Sequence, residues 1–418
     1  MLLTNNEKKF ASTIIITILL VLIRGGGHAM LCYDREWVKT SREFSALFLY
    51  ALMLKKRSSM SIPMVLKQME GRTIVRDACK WNGKATLLIP LGEYMVNGAI
   101  FKGPCNGSTM TFEMKGVIKA PTDPKIFCNE YWVRFQYMNG LKIKGHGTFD
   151  GQGACAWGKH QCATPLPFTV GFYFIKNLIV HDIHSNNSKG VHINVFNCTN
   201  GFFRHVKITA PDDSPNTDGI RIGYSNNIHI VDSNIGTGDD CISMVAGSQS
   251  INISGVTCGP GHGISIGSLG KLSKNDVVKD IHIKNCTFIN TQNGVRIKTW
   301  ASSMTGMATN ITFEDIIMIK ASNPILIDQQ YCPTGNCKKQ GSSVQVKEVT
   351  YKNIRGSSSS KVAVIFDCSD SHPCNGIIVK DINLVYNERD GPATSSACEN
   401  AIGKATGIEL PPSCLKKS

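Results

Sequence analysis

The chain has no Cys-x-x-Cys pair, and its eleven histidines are scattered, so the usual zinc-ligand spacing is missing. It has no apolar run of the roughly 20 residues that a membrane-spanning helix requires. No helix-length amphipathic segment separates its strand-like runs, which argues against an alternating β/α sheet. Nor is there a helix-turn-helix or RNA-binding signature to accompany the formal net charge of +14. A basic surface still concentrates polyanions, and nucleic acid, acidic lipid and acidic polysaccharide all qualify.

The N-terminus narrows that choice. Lys8 and Lys9 precede an apolar run from Ala11 to Ile23, and Gly27-His28-Ala29 offers a small-x-Ala cleavage site. This pattern predicts a secretory signal peptide over 1–29, and so a secreted, extracellular protein with no membrane attachment after its removal. Sixteen cysteines lie beyond that segment, an even number that favours disulfides over metal sites. Cys332 with Cys337 and Cys368 with Cys374 are close enough to pair locally, and Cys398 with Cys414 would staple the C-terminus. The remaining connectivity is open. Asn-x-Ser/Thr sequons at Asn106, Asn186, Asn197, Asn252, Asn285 and Asn310 suit an exposed, glycosylated surface and argue against nucleic acid as the partner.

From about Leu141 a loose unit recurs: an amide or charged residue, alternating β-formers, then a polar turn. Examples are Asn177-Leu-Ile-Val-His, Asn227-Ile-His-Ile-Val and Asp280-Ile-His-Ile-Lys. A second short strand follows each, as in Gly219-Ile-Arg-Ile-Gly and Gly263-Ile-Ser-Ile-Gly. The period of two is that of half-buried strands, and Gly and Asn mark the turns. A β-sandwich would also show short strands, but the fixed order of strands within a repeating unit points to an all-β, single-domain, right-handed parallel β-helix. The expected division is a signal peptide over 1–29, an N-terminal segment and cap over 30–84, and the β-helix over 85–418 with a disulfide-stapled tail. The regular coils are expected between about Thr86 and Tyr386.

Four polar clusters interrupt this repeat: Asn216-Thr217-Asp218, Asp239-Asp240, Gly261-His262-Gly263 and Arg296-Ile297-Lys298. Intervals of 21, 22 and 34 residues separate Asp218 from Asp239, Asp240 from His262 and His262 from Arg296. One coil per interval would stack them on neighbouring strands about 4.8 Å apart. Clustered carboxylates oppose each other's ionisation, so one keeps its proton to higher pH and can act as a general acid while others activate water. Arg296 and Lys298 flank an inward Ile297 and should both point outward, where they can bind the carboxylate of an acidic sugar. Parity is an obstacle for Asp240, which shares it with Ile242 and Met244 and needs a bend to escape the core. The same applies to Asp218 and His262, and Gly219, Gly238, Gly261 and Gly263 make such bends inexpensive. A calcium site made of the three aspartates is a rival use.

In this order and spacing the four clusters resemble the motifs of the polygalacturonases, pectin-cleaving glycoside hydrolases built on a parallel β-helix. Phe101-Lys-Gly-Pro-Cys105, Asn293-Gly-Val-Arg-Ile-Lys-Thr-Trp300 and Ile327-Asp-Gln-Gln-Tyr-Cys332 resemble the plant branch. Phe149-Asp-Gly-Gln-Gly153 and the Cys-rich C-terminus are most similar to pollen-type exopolygalacturonases. The resemblance implies that Asp239 is the general acid, that Asp218 and Asp240 activate water, and that His262 supports the acid. It implies that Asn216, Arg296, Lys298 and Tyr331 bind substrate and that Cys241 pairs with Cys258. It further implies an inverting, monomeric enzyme of the cell wall, with polygalacturonate (pectin) as its partner and no metal or cofactor. Family members open the mature chain with a strand, a Gly/Asp-rich loop and a capping helix, and no such strand or loop is legible before Val75; only Ala78-Cys79 looks like the helix end. A pectate lyase on a similar solenoid and a catalytically silent pectin-binding protein are the competing expectations.

Overall fold

In the computed structural model the described residues are 79–417, apart from 124–130, 158–165, 272–273, 334, 336, 338–340 and 388–393. The expected signal peptide and nearly all of the segment over 30–84 lie outside them. Cys79 and Lys80 are helical and lead into the first strand, Ala85–Ile89. From there the regular structure described is parallel β-strand, apart from one short 3-10 turn at Gly153–Cys155.

The strands form a right-handed parallel β-helix with two ladders. One sheet has eleven strands, running coil by coil from Ala99–Lys102 to Ser395–Glu399, and the other has nineteen. Each coil contributes one strand to the first sheet and one or two to the second. Within the eleven-strand sheet, Ile193, Ile220, Ile242, Ile264, Val295 and Ile325 occupy successive rungs. All six are wholly buried. The alternating apolar positions thus form one continuous column of core, each such side chain contributing roughly 1.5–3 kcal/mol by leaving water.

Asparagines mark the turns as their residue type allows. Asn177, Asn200 and Asn227 all have left-handed φ near +56°, a region Asn tolerates better than most residues. Their side chains form a ladder with Asn139, each Nδ2 donating to the Oδ1 one coil earlier at 2.7, 3.2 and 2.9 Å.

The coils run past the expected end near Tyr386. Strand Cys374–Tyr386 pairs with Ala401–Leu410, and Val362–Asp367 pairs with Ser395–Glu399. This last coil was hard to read because only Ala401 and Gly403 of its long strand are buried, which erases the period-two signal. Cys398 and Cys414 are bonded across it. The pairs Cys332–Cys337, Cys368–Cys374, Cys241–Cys258 and Cys79–Cys105 are also formed. Cys198 and Cys286 are buried free thiols.

Candidate active site

Strands Ile220–Gly223, Ile242–Met244, Ile264–Leu269 and Asn293–Trp300 are consecutive rungs of the eleven-strand sheet. Asp218, Asp240 and His262 each stand two residues ahead of the first residue of their strand. The in/out alternation therefore does not extend back to them: Asp218 and His262 are partly exposed, whereas Asp240 stays buried, turned to polar partners and not to the apolar core. Their turns stack as the strands do: Gly219 N–H donates to Asp240 O, and Cys241 N–H to Gly263 O, both at 2.8 Å. Gly263 has φ +85°, and a Cβ there would lie 2.2 Å from the carbonyl oxygens of Asn293 and Gly294, so glycine is required for the coils to approach.

Thr217 joins the first two clusters. It is buried, its Oγ1 accepts from Gly238 N–H at 3.1 Å, and it donates to Ser214 O at 3.0 Å. This brings the turn bearing Asp218 against the turn bearing Asp239 and Asp240.

The three carboxylates have different surroundings. Asp240 is 1% exposed. Its Oδ1 accepts from Ser265 Oγ and from Arg296 Nη2, and its Oδ2 from Lys298 Nζ, each at 2.7 Å. Burial alone would raise its pKa, but Lys298 and Arg296 outweigh burial and hold the carboxyl below the usual range. Arg296 and Lys298 do lie on the outward face, yet they are only 7% and 6% exposed and are committed to Asp240. Tyr331 closes this end, with its ring centre 5.1 Å from Lys298 Nζ and 6.0 Å from the Arg296 guanidinium, and Trp300 packs edge-on against it.

Asp239 is half-buried and, among the described residues, forms no ion pair with Lys or Arg. Its Oδ1 lies 3.0 Å from His262 Nδ1 and accepts the backbone N–H of Asp240 at 2.8 Å. The His262 N–H returns to Asp239 O at 2.8 Å, so backbone and side chain bind the two residues together. Asn293 Nδ2 donates to His262 O at 3.2 Å from the next coil. Asn216 is exposed in the turn ahead of Asp218, with left-handed φ of 55°.

Among the described residues Asp218 has no ion-pair partner. Its Oδ2 accepts from Ser243 Oγ at 2.7 Å. Desolvation, then the charges of Asp239 and Asp240, push its pKa up to about 7, against weaker help from Ser243 and Arg221. The sequence leaves open which carboxyl of the cluster is raised; it is Asp218, chiefly because of its desolvation, with Arg221 as the cation that opposes the shift and Lys298 and Arg296 paired with Asp240. A stability prediction follows. From the ordinary value of 3.8 up to about 7, the unfolded chain has released this proton while the folded chain holds it. The folded state then binds more protons, and its stability declines as pH rises through that window. Asp218→Asn keeps an acceptor for Ser243 and removes the penalty. It should raise stability at pH 7.5 by on the order of 1–3 kcal/mol, tempered by partial solvent contact, and by almost nothing at pH 3.5. Melting curves of both proteins at the two pH values test this; an equal shift at both would contradict it.

Asp239, Asp240 and His262 also bring three ligand atoms within 4.8 Å of one another. A divalent cation fits them poorly, because both oxygens of Asp240 are already taken up by cationic donors. The sequence reading missed Ser243, Ser265 and Arg221, which complete the cluster. A signal existed: Ser243 and Ser265 each stand three residues after Asp240 and His262, on the outward parity of their strands.

A profile of the glycosyl hydrolases family 28 matches residues 79–407. The chain is 45% identical to an exopolygalacturonase of Platanus acerifolia over 80% of its own length and 90% of that protein's. It is also 45% identical to a polygalacturonase of Gossypium barbadense, over 80% of this chain and 84% of the other. In fold it is similar to the endo-xylogalacturonan hydrolase of Aspergillus tubingensis, with a TM-score of 0.68 and 23% identity over 77% of this chain and 92% of that one.

Proposed function

Because the chain belongs to the glycosyl hydrolases family 28, we propose that it hydrolyses the α-1,4-galacturonosyl linkages of polygalacturonate, with inversion at the anomeric carbon. The observation that carries this reading is the Asp239–His262 pair standing beside Asp218 and a cation-held Asp240 on stacked turns. Asp239 gives its proton to the departing glycosidic oxygen, and His262 Nδ1, 3.0 Å away, orients the carboxyl. Asp218 and Asp240 hold the attacking water and take its proton as the water oxygen bonds to the anomeric carbon. Arg296 and Lys298 keep Asp240 ionised to low pH, so the water faces a negative carboxylate before reaction. The same cations, with Tyr331 and Asn216, face the galacturonate carboxylate and ring. The three carboxyls titrate as a coupled unit. The reaction needs one proton among them, wherever it rests before substrate arrives.

The relatives support the finer reading. The Platanus acerifolia protein is an exopolygalacturonase, which favours removal of residues from a chain end. Action on a plant wall polymer requires secretion to the cell wall, where the protein works as a monomer without metal or cofactor.

A pH series on polygalacturonate, with and without chelator, tests the reading. Activity should fall as pH rises through about 7, where the carboxyl cluster gives up its proton. The acid flank should lie where Asp240 protonates, below the usual carboxylate range because Lys298 and Arg296 overcome its burial. Chelator should have no effect, and the released products should show no ultraviolet-absorbing double bond. An alkaline, chelator-sensitive profile with unsaturated products would mark a lyase and overturn the proposal.

A further inference from the structure

The column of outward residues that carries Ser243, Ser265 and Arg296 continues toward the N-terminal coils. From Ser243 it passes through Arg221, Asn194 and Gly171 to Arg134. Arg134 alternates with the buried Val133 and Phe135, so it lies on the same face as the catalytic cluster. Its guanidinium sits in the corner formed by two tilted rings, 4.0 Å from the centre of Tyr173 and 4.4 Å from that of Tyr131, whose centres are 5.8 Å apart. Tyr173 is held in turn by Asn194 Nδ2, which donates to its hydroxyl at 3.0 Å. A Cβ at position 171 would come 2.5 Å from the Tyr173 ring, so the glycine there makes room for it.

This pair of rings positions a cation but supplies it no acceptor. Among the described residues Arg134 makes no ion pair or hydrogen bond, and its Nε is buried without a partner. The two rings hold the guanidinium in place by cation–π attraction, and its planar fork of donors suits a carboxylate. Arg296 and Lys298, by contrast, already have Asp240.

We propose that Arg134, held by Tyr131 and Tyr173, is a remote subsite for the carboxylate of a uronic acid unit in the substrate chain. It rests on the polygalacturonate reading of the catalytic cluster and extends it. Arg134 stands four ladder steps from Ser243, about 19 Å at roughly 4.8 Å per step. A galacturonate oligomer therefore has to span that length to reach both places. Digalacturonate is too short, and octagalacturonate is long enough.

Calorimetric titration of Asp239→Asn protein, in which turnover should be slowed about 10²–10⁴-fold, with digalacturonate and octagalacturonate gives the test. In that background Arg134→Met, which preserves much of the packing against the rings, should weaken octagalacturonate binding by about ten- to thirty-fold, the worth of one charge-assisted contact. Digalacturonate binding should change less than two-fold, and Arg134→Lys should restore part of the loss. On the otherwise unaltered enzyme, kcat on digalacturonate should be unchanged by Arg134→Met while KM for the octamer rises. Equal losses for both ligands would show that Arg134 serves only the fold. An undiminished preference for the octamer would equally overturn the subsite while leaving the catalytic reading intact. If neither oligomer binds the protein, both proposals fall together.

Discussion

Asp239→Asn should lower kcat on polygalacturonate by about 10²–10⁴-fold, the usual contribution of a positioned general acid. Substrate affinity and thermal stability should stay near those of the unaltered protein. The reason lies in what Asp239 touches. Its Oδ1 receives the Asp240 N–H and faces His262 Nδ1. An asparagine Oδ1 can fill that acceptor role with little rearrangement, so the turn keeps its shape. It has no proton to hand to the leaving oxygen. Among the described residues no Lys or Arg pairs with Asp239, so the substitution strands no buried cation there. Reducing-sugar release and calorimetric binding separate the two effects. A variant with near-normal kcat would remove Asp239 as the acid, and one that lost binding equally would give it a structural role.

Asp240→Ala should instead unfold readily. It leaves Arg296 and Lys298, at 7% and 6% exposure, without the carboxylate that both contact. Removing one partner of a buried ionic cluster typically costs about 3–5 kcal/mol, because the stranded charges remain in a poorly solvated place. Two cations 2.7 Å from the same carboxylate also repel each other once it is gone. Ser265 loses its acceptor as well. Activity disappears with the fold in this variant, so the informative measurement is chemical denaturation. Asp240→Asn, which keeps an acceptor but not the charge, should fall between. A loss below about 1 kcal/mol for the alanine variant would mean that water reaches the two cations freely, contrary to the burial described. The contrast between neighbours is itself a prediction: Asp239 matters for rate and Asp240 for both rate and stability.

Much of this could be read before any coordinates. Apolar residues two apart, repeating at coil length with Asn and Gly between, allow no cheaper arrangement than stacked parallel rungs with the Ile column inside. Once the coils stack, Asp218, Asp239–Asp240, His262 and Arg296 must meet, because the intervals between them are whole coils. Local pattern and repeat length thus determined the architecture and which charged clusters meet, though not the part taken by Ser243, Ser265 and Arg221. They did not determine the electrostatics of the site. Parity says whether a side chain points in or out, and only for residues inside a strand. It is silent on Asp218, Asp240 and His262, which sit just ahead of theirs. Nor does it say which of several outward groups on adjacent rungs will pair. Only the tertiary structure assigned both cations to Asp240, left Asp218 to carry the raised pKa, and set Arg134 against two tyrosines with no carboxylate partner among the described residues. Those outcomes depend on distances of a few ångströms between coils and on how much water each group loses, and desolvation belongs to the packed assembly rather than to any stretch of the chain.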